Sequence, residues 1–338
     1  MKAVIMAGGE GTRLRAVTGS QPKPMVSLLG KPMLEHIVGL LRKNGFDEIC
    51  MALKYRAGDI IAHFGDGEKF GVKIDYRIEE EPLGTAGAVK NCGDFYGEED
   101  FLVISGDCAC DMNLSLIAEA HRKNRAMATI ALHRDGCPLQ YGLAVTDSAG
   151  RIRAFVEKPS WSRVVTDFVN TGIYMLSPEV MRYVPEGRAY DFGKDLFPRL
   201  MQDDLPIFGI DPGGYWCDVG TPDSYYKCCR DALAGKLHIE PAPEFVTVHS
   251  DPEDEAPDGG IDCPCEDRAA VMGALSETLM ELGADYADGL HLRTGGYELH
   301  IAPRPDREAL HVSVHSKDAE FAERLMLSAK EVIELLSI

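Results

Sequence analysis

A chain of 338 residues, 45% hydrophobic and 26% charged, is long enough for two packed domains and has the composition of a globular protein. Its 35 basic and 54 acidic residues leave a net charge of −19, which argues against nucleic acid or an anionic membrane as the main partner, although a locally basic site can still take an anionic small molecule. No run reaches the roughly 18 to 20 apolar residues of a membrane helix and no signal-peptide pattern opens the chain, so a cytoplasmic protein with reduced thiols is expected.

In chain order, Lys2–Met6 reads as a first strand, followed at once by Gly8, Gly9 and Gly11. Met33–Asn44 has helical spacing, Glu48–Ala52 reads as strand, Asp59–Phe64 as helix and Val72–Arg77 as strand. Phe101–Ile104 and Met127–Leu132 are further strands, with a helix over Leu114–Asn124 between them. Strands alternating with helices predict an α/β fold. We expect a Rossmann-like, doubly wound, mixed but mostly parallel sheet covered on both faces, binding ligands at the carboxyl ends of its strands.

That domain is read over residues 1–235. Residues 236–265 are rich in Pro, Gly and acids, carry little periodicity and read as a connector. Residues 266–338 read as a small α+β module, with a helix over Arg268–Leu282, three short strands between Gly289 and Val314, and an amphipathic helix over Ala319–Leu336. The acidity is concentrated beyond residue 235, where 8 basic residues face 22 acidic ones, against 27 and 32 before it. The stripe on the last helix fits either packing within the chain or a homo-oligomer interface. The cysteine pairs Cys108/Cys110, Cys228/Cys229 and Cys263/Cys265 lack the two-residue spacing of zinc knuckles and read as plain thiols.

A strand followed by Gly8, Gly9 and Gly11 exposes backbone N–H groups that side chains would obstruct, which suits close approach of a phosphate chain. The dinucleotide pattern fails because Leu14 stands where its last glycine belongs, and the Gly-Lys-Ser/Thr of a Walker loop is absent. The stretch "MAGGEGTRL" is followed by "QPKPM" and "GKPMLEH", then in order by "EEPLGTAGA", "VISGD", "YG", "EKPS", "VNTGIY", "DFGKDLFP" and "WCDVGTP". This series, over residues 1–230, resembles the sugar-1-phosphate nucleotidyltransferases, also called nucleotide-sugar pyrophosphorylases. Within that family "EEEPLGTAGAVK" and "EKPSW" look most like mannose-1-phosphate guanylyltransferases. One departure is Ala16, where the family often has Pro.

The resemblance implies transfer of a nucleotidyl group from a nucleoside triphosphate to a sugar-1-phosphate, with release of pyrophosphate. Because the attacking phosphate oxygen is already ionised, positioning and charge neutralisation must do the catalysis. Arg13 and Lys23 are implied to grip the triphosphate, and Asp107 and Asp218 to hold Mg²⁺. The nucleotide site implied comprises Gly8, Gly9, Gly11, Thr12, Leu83, Gly84, Thr85 and Ala86. The sugar-phosphate site implied comprises Gly142, Glu157, Lys158, Asn170 and Thr171, with Trp216 as a wall. Asp111 is assigned to capping the helix that begins near Leu114. GTP with mannose-1-phosphate is the expected pair; GTP with a heptose-1-phosphate, UTP or dTTP with glucose-1-phosphate, and a silent regulatory subunit that binds a nucleotide sugar are the alternatives.

The tail resembles the last domain of phosphohexomutases such as phosphomannomutase. Its phosphate loop is altered, however: Arg304, Pro305, Asp306, Arg307, Glu308 and Ala309 keep the first two family residues and lose the Ser, Gly and Thr. Mutase activity is not expected as a main function, since the 338 residues leave no room for the other mutase domains, and a role in assembly or regulation is expected.

Overall fold

The computed structural model describes residues 1–135, 138–158, 164–242, 261–265, 268, 271–272, 274–276, 289–294, 297–303, 309–316 and 319–337. The chain divides into two compact units, Met1–Val246 and Thr247–Ile338. Pro159, Ser160 and Trp161 of the "EKPSW" motif, and Arg304 to Glu308 of the tail loop, lie outside the described residues.

Besides a short hairpin of Ser27–Leu28 with Lys31–Pro32, the strands of the first unit are β1 (Lys2–Ala7), β2 (Glu48–Leu53), β3 (Lys73–Ile78), β4 (Phe101–Ser105), β5 (Cys108–Cys110), β6 (Ala128–Arg134), β7 (Gly142–Thr146), β8 (Ile152–Glu157), β9 (Phe168–Leu176), β10 (Ile207–Ile210) and β11 (Trp216–Asp218). Its main helices are α1 (Met33–Lys43), α2 (Ala57–Phe64), α3 (Gly84–Lys90), α4 (Leu114–Asn124), α5 (Phe197–Gln202) and α6 (Pro222–Leu233). The main sheet runs β8-β7-β9-β4-β1-β2-β3, with β6 and then β10 branching from β9. The stretch β4-β1-β2-β3 is parallel, as is β6-β10, while β9 is antiparallel to its neighbours. The mixed α/β sheet expected from the sequence is therefore the one observed.

Parallel strands buried on both faces read as continuous apolar runs, which is why "AVIMA" and "FLVIS" announce themselves. Along β1, Ala3, Ile5 and Ala7 pack into one core with Leu34, Ile37, Leu41 and Ile104, while Val4 faces a second core with Val89, Phe101, Val103 and Phe197. Helix α1 buries Met33, Leu34, Ile37, Val38 and Leu41, the stripe of a helix covering a sheet.

Strand β9 does two things. Its C-terminal half, Ile173–Leu176, pairs with β4, whereas Val169 pairs with Leu143 of β7 on the same edge. Between them, at the bulge bounded by Asn170 and Tyr174, the strand changes partner. Gly172 takes φ +77 there, and a Cβ on it would stand 3.2 Å from the Cβ of Ser105. The gap between the end of β4 and the start of β7 becomes a cavity wall.

The second unit contains β12 (Ile261–Pro264), β13 (Leu290–Thr294), β14 (Tyr297–Pro303), β15 (Ala309–Ser316) and α7 (Ala319–Leu336). Its antiparallel sheet has the order β12-β15-β14-β13, and Leu292, Leu299, Ile301, Val312 and Ile333 share its core. The three strands and final helix match expectation. The strand at Ile261–Pro264 falls inside the stretch read as connector, because pairing with Ala309–Val312 decides it and no local period marks it. The start of that stretch also packs: Leu237 is buried and the Ala242 N–H donates to the Leu29 carbonyl within the first unit.

Candidate active site

The site forms where the strand order turns back: from β1 the chain passes outward through β2 and β3, then returns to β4 on the other side of β1. Ligands of open α/β sheets bind at such a point, beyond the carboxyl ends of the strands. The loops that leave β1 and β4 there carry Gly8–Gly11 and Gly106–Asp107. Gly11 takes φ +63, and a Cβ on it would fall 2.6 Å from the Cβ of Lys23. Only glycine lets the two segments close on each other. Thr12–Leu14 makes one 3-10 turn anchored by buried Leu14, leaving Thr12 and Arg13 exposed. Lys23–Met25 makes another, stiffened by Pro22 and Pro24.

Lys23 is the hub. Its side chain is 7% exposed, and its Nζ donates to Asp107 Oδ2 at 2.7 Å and lies 3.5 Å from Asp218 Oδ1. Asp107 and Asp218 meet because β5 and β11 form an antiparallel ribbon in which Asp218 faces Cys108. The Ser105 hydroxyl donates to Asp107 Oδ1 at 2.8 Å. Burial works to raise the Asp107 pKa, but the charge of Lys23 and hydrogen bonds from Lys23 and Ser105 outweigh it and hold the group below the usual range. Asp218 goes the other way: burial and repulsion from Asp107 raise it against Lys23 and Arg13. Two close carboxylates with one ammonium between them form a site short of positive charge. Among the described residues no three His, Cys, Asp or Glu side chains converge as a metal cluster. Mg²⁺ usually takes one or two carboxylates when phosphates and water complete its shell, so this pair fits that ion.

Two cavities adjoin here. The first, about 240 Å³, is lined by Gly9, Gly11, Thr12, Arg13, Lys23 and Asp107 among others. The second, about 320 Å³, includes Gly142, Glu157, Asn170, Thr171, Asp218 and Trp216 in its lining. Arg13 and Asp107 belong to both. The Glu157 carboxylate is admitted by small neighbours, since a Cβ on Gly142 would stand 2.9 Å from its Oε2. Thr171 is held in place from both ends: its hydroxyl donates to the Ala131 carbonyl at 2.7 Å, and its own carbonyl accepts from Trp216 Nε1.

Gly8, Leu83, Gly84 and Thr85 form a neighbouring group. A Cβ on Gly8 would lie 3.5 Å from Glu79 Oε1, and Glu79 Oε2 accepts from the Leu83 N–H at 3.2 Å. The Thr85 backbone N–H and hydroxyl both donate to Asp191 Oδ1, and the hydroxyl accepts from the Phe192 N–H. Thr85 itself reaches the second cavity, whereas Ala86 is fully buried.

Two placements differ from the sequence expectation. Lys158 is exposed, with φ +42, and stands outside the lining of the second cavity. Lys194 and Asp191 line it instead; both stand in "DFGKDLFP", which held no role in the sequence reading. Asp111 does not cap α4, since Asn113 does, accepting from the Ser115 N–H. The Asp111 carboxylate accepts instead from the Tyr215 and His238 backbone N–H groups, a contact between distant segments. Glu79 and Lys54, also unassigned from sequence, flank Gly8.

The sequence profile of the Nucleotidyl transferase family matches residues 2–235. A UTP--glucose-1-phosphate uridylyltransferase of Synechocystis is 38% identical over 250 residues, covering 70% of this chain and 64% of that protein. A mannose-1-phosphate guanylyltransferase of Mycobacterium tuberculosis is 36% identical over 242 residues, covering 71% and 66%. The match thus spans just under two thirds of each relative's length. The crystal structure of HddC from Yersinia pseudotuberculosis complexed with GMP-PN superimposes with a TM-score of 0.59 at 32% identity, over 68% of this chain and 99% of that one. The profile covers both loops that meet at Lys23 and the ribbon that brings Asp218 to Asp107, and the chain belongs to the nucleotidyl transferase family.

Proposed function

We propose that the chain transfers a nucleotidyl group from a nucleoside triphosphate, GTP by preference, to a hexose-1-phosphate, mannose-1-phosphate by preference, in the cytoplasm. The observation that carries this reading is Lys23 bridging Asp107 and Asp218 at the junction of two cavities that share Arg13. A phosphate oxygen of the sugar-1-phosphate attacks the α-phosphorus, the bond from that phosphorus to the bridging β-oxygen breaks, and the electron pair leaves with pyrophosphate. The attacking oxygen is ionised near neutral pH, so no side chain need take a proton. Arg13 and the backbone N–H groups of Gly9, Gly11 and Thr12 offset charge on the triphosphate, and Lys23 neutralises the crevice between the donor and acceptor sites. Asp107 and Asp218 would hold Mg²⁺, which supplies further charge neutralisation when bound.

The preference for guanine is supported by Glu79. Guanine presents two adjacent donors, N1–H and N2–H₂, and a carboxylate accepts both, whereas uracil and thymine offer one donor flanked by acceptors. Burial raises the Glu79 pKa against the Leu83 N–H and Lys54. The guanylyltransferase name of the Mycobacterium relative and the GMP-PN in HddC lend weight to the same choice. The uridylyltransferase name of the Synechocystis relative supports UTP with glucose-1-phosphate as the second reading. The test is pyrophosphate release with Mg²⁺, crossing the common triphosphates with mannose-, glucose- and heptose-1-phosphate. Asp107→Ala is expected to lower turnover by about a hundredfold or more. A protein that releases none while binding a nucleotide sugar tightly is a regulatory subunit, and the proposal fails.

A further inference from the structure

Strand β11 is three residues long and pairs with β5 in a two-stranded ribbon. Side chains alternate along a strand. Trp216 and Asp218 line the second cavity, while Cys217 between them turns back into a core shared with Leu14, Val219, Cys228 and Ala232. There its thiol donates to the Ser224 carbonyl of α6 at 3.8 Å, the carbonyl that an α-helix pairs with the N–H of Cys228. The Cys217 and Cys228 thiols are hydrogen-bonded to each other.

The two sides of this contact differ in firmness and in access. Helix α6 is fastened at its start by a capping box of Thr221 and Ser224, and the Tyr225 hydroxyl donates to the Ser27 carbonyl at 2.8 Å. Strand β11 has only its short ribbon with β5 to hold it. Cys217 is 7% exposed and Cys228 0%, so a small oxidant meets Cys217 first and Cys228 stands ready behind it. Cys50 and Cys92 are also hydrogen-bonded to each other, but both are 0% exposed and out of an oxidant's reach.

We propose that Cys217 and Cys228 form a redox modification site, closed by a hydroperoxide, whose disulfide draws β11 toward α6 and shifts Asp218 against Asp107. The Cys217 sulfur attacks one peroxide oxygen, the O–O bond breaks, and water leaves as a sulfenic acid forms. The Cys228 sulfur then attacks that sulfur, the S–O bond breaks, and a second water carries off the proton of the Cys228 thiol. Two thiols and one hydrogen peroxide give one disulfide and two waters, with two electrons passing from sulfur to oxygen. A disulfide holds its sulfurs about 2.05 Å apart, far closer than two thiols in contact, and β11 is the element that follows. Mg²⁺ demands near-ideal geometry of its ligands, so the shift weakens the hold of Asp107 and Asp218 on it. The cross-link stands apart from the proposed transfer reaction, whereas its effect on turnover rests on that reading.

The experiment treats reduced full-length protein with hydrogen peroxide, maps cross-linked peptides by mass spectrometry, and follows pyrophosphate release across Mg²⁺ concentrations. A Cys217–Cys228 link is expected, with the Mg²⁺ needed for half-maximal turnover raised about tenfold or more and restored by dithiothreitol. Reduced Cys217→Ala and Cys228→Ala are expected to stay within about twofold of the unaltered protein and to resist peroxide, whereas Cys229→Ala still forms the link and responds. Thermal melting checks that the variants fold, with Cys228→Ser as a second substitution. No link, a link between other cysteines, or a link that leaves the Mg²⁺ requirement unchanged overturns the proposal. If the unaltered protein turns over no substrate pair, the proposed reaction fails, and Mn²⁺ binding followed by electron paramagnetic resonance then compares the oxidised and reduced forms. Weaker binding in the oxidised form supports the proposal; equal binding, or none in either form, overturns it.

Discussion

Asp218 is held at a cost that the fold tolerates. Its carboxyl pKa is raised by burial and by Asp107, so in the absence of added cation the folded protein would be better off with that charge removed. Asp218→Asn is accordingly expected to leave the melting temperature unchanged or higher while turnover drops by about a hundredfold or more, and calorimetry beside pyrophosphate release reads both. A lowered melting temperature would show that the Lys23 contact outweighs the repulsion. At this scale the residues legible from sequence were those on loops leaving strand ends: Gly9, Gly11, Arg13, Lys23 and Asp107 all line the first cavity. Less legible were residues whose role depends on a distant partner. Asp111 looked like a cap because Asp caps helices locally, yet its oxygens reach Tyr215 and His238. Lys194 carried no local signal because only the folding of its turn against Glu157 brings it to the cavity.

Among the elements, helix α4 carries a histidine on its buried face. His121 is 1% exposed; its Nδ1 pairs with the Thr129 hydroxyl, and Asp100 lies 3.7 Å from its Nε2. Burial lowers its pKa, and Asp100 only partly offsets this. The unfolded imidazole takes a proton as pH falls through about 6.5, while the folded one resists. This residue's share of stability is thus present above that pH and lost below it. The urea midpoint is expected to fall between about pH 7 and pH 5.5, and His121→Gln should flatten part of that slope; an unaltered slope would remove His121 from the account. Elements built from local period were readable, and α4 runs over the residues expected, Leu114–Asn124. Strand β9 was visible only as the motif "VNTGIY", since its nine residues take their form from partners on both edges and from a bulge between them. The short strands of the β5–β11 ribbon are set entirely by pairing across the chain.

For the molecule as a whole, every residue placed in the candidate site lies within Met1–Val246, the first compact unit. Both of its faces carry their own core, so a chain ended after Val246 is expected to fold alone and keep pyrophosphate release within a few-fold of the full protein. A loss of about a hundredfold would assign part of the site to the second unit. The ribbon that joins Asp107 to Asp218 has one more effect, on the time course of synthesis. A ribosome delivers the glycine loop, Lys23 and Asp107 first, and Asp218 only after the central sheet from β1 to β10 has been made. Domains begin folding as they emerge, so a nascent chain acquires the pieces of the phosphate crevice well before it can balance Lys23 with both carboxylates. Asp218 reaches Asp107 only through the pairing of β11 with β5.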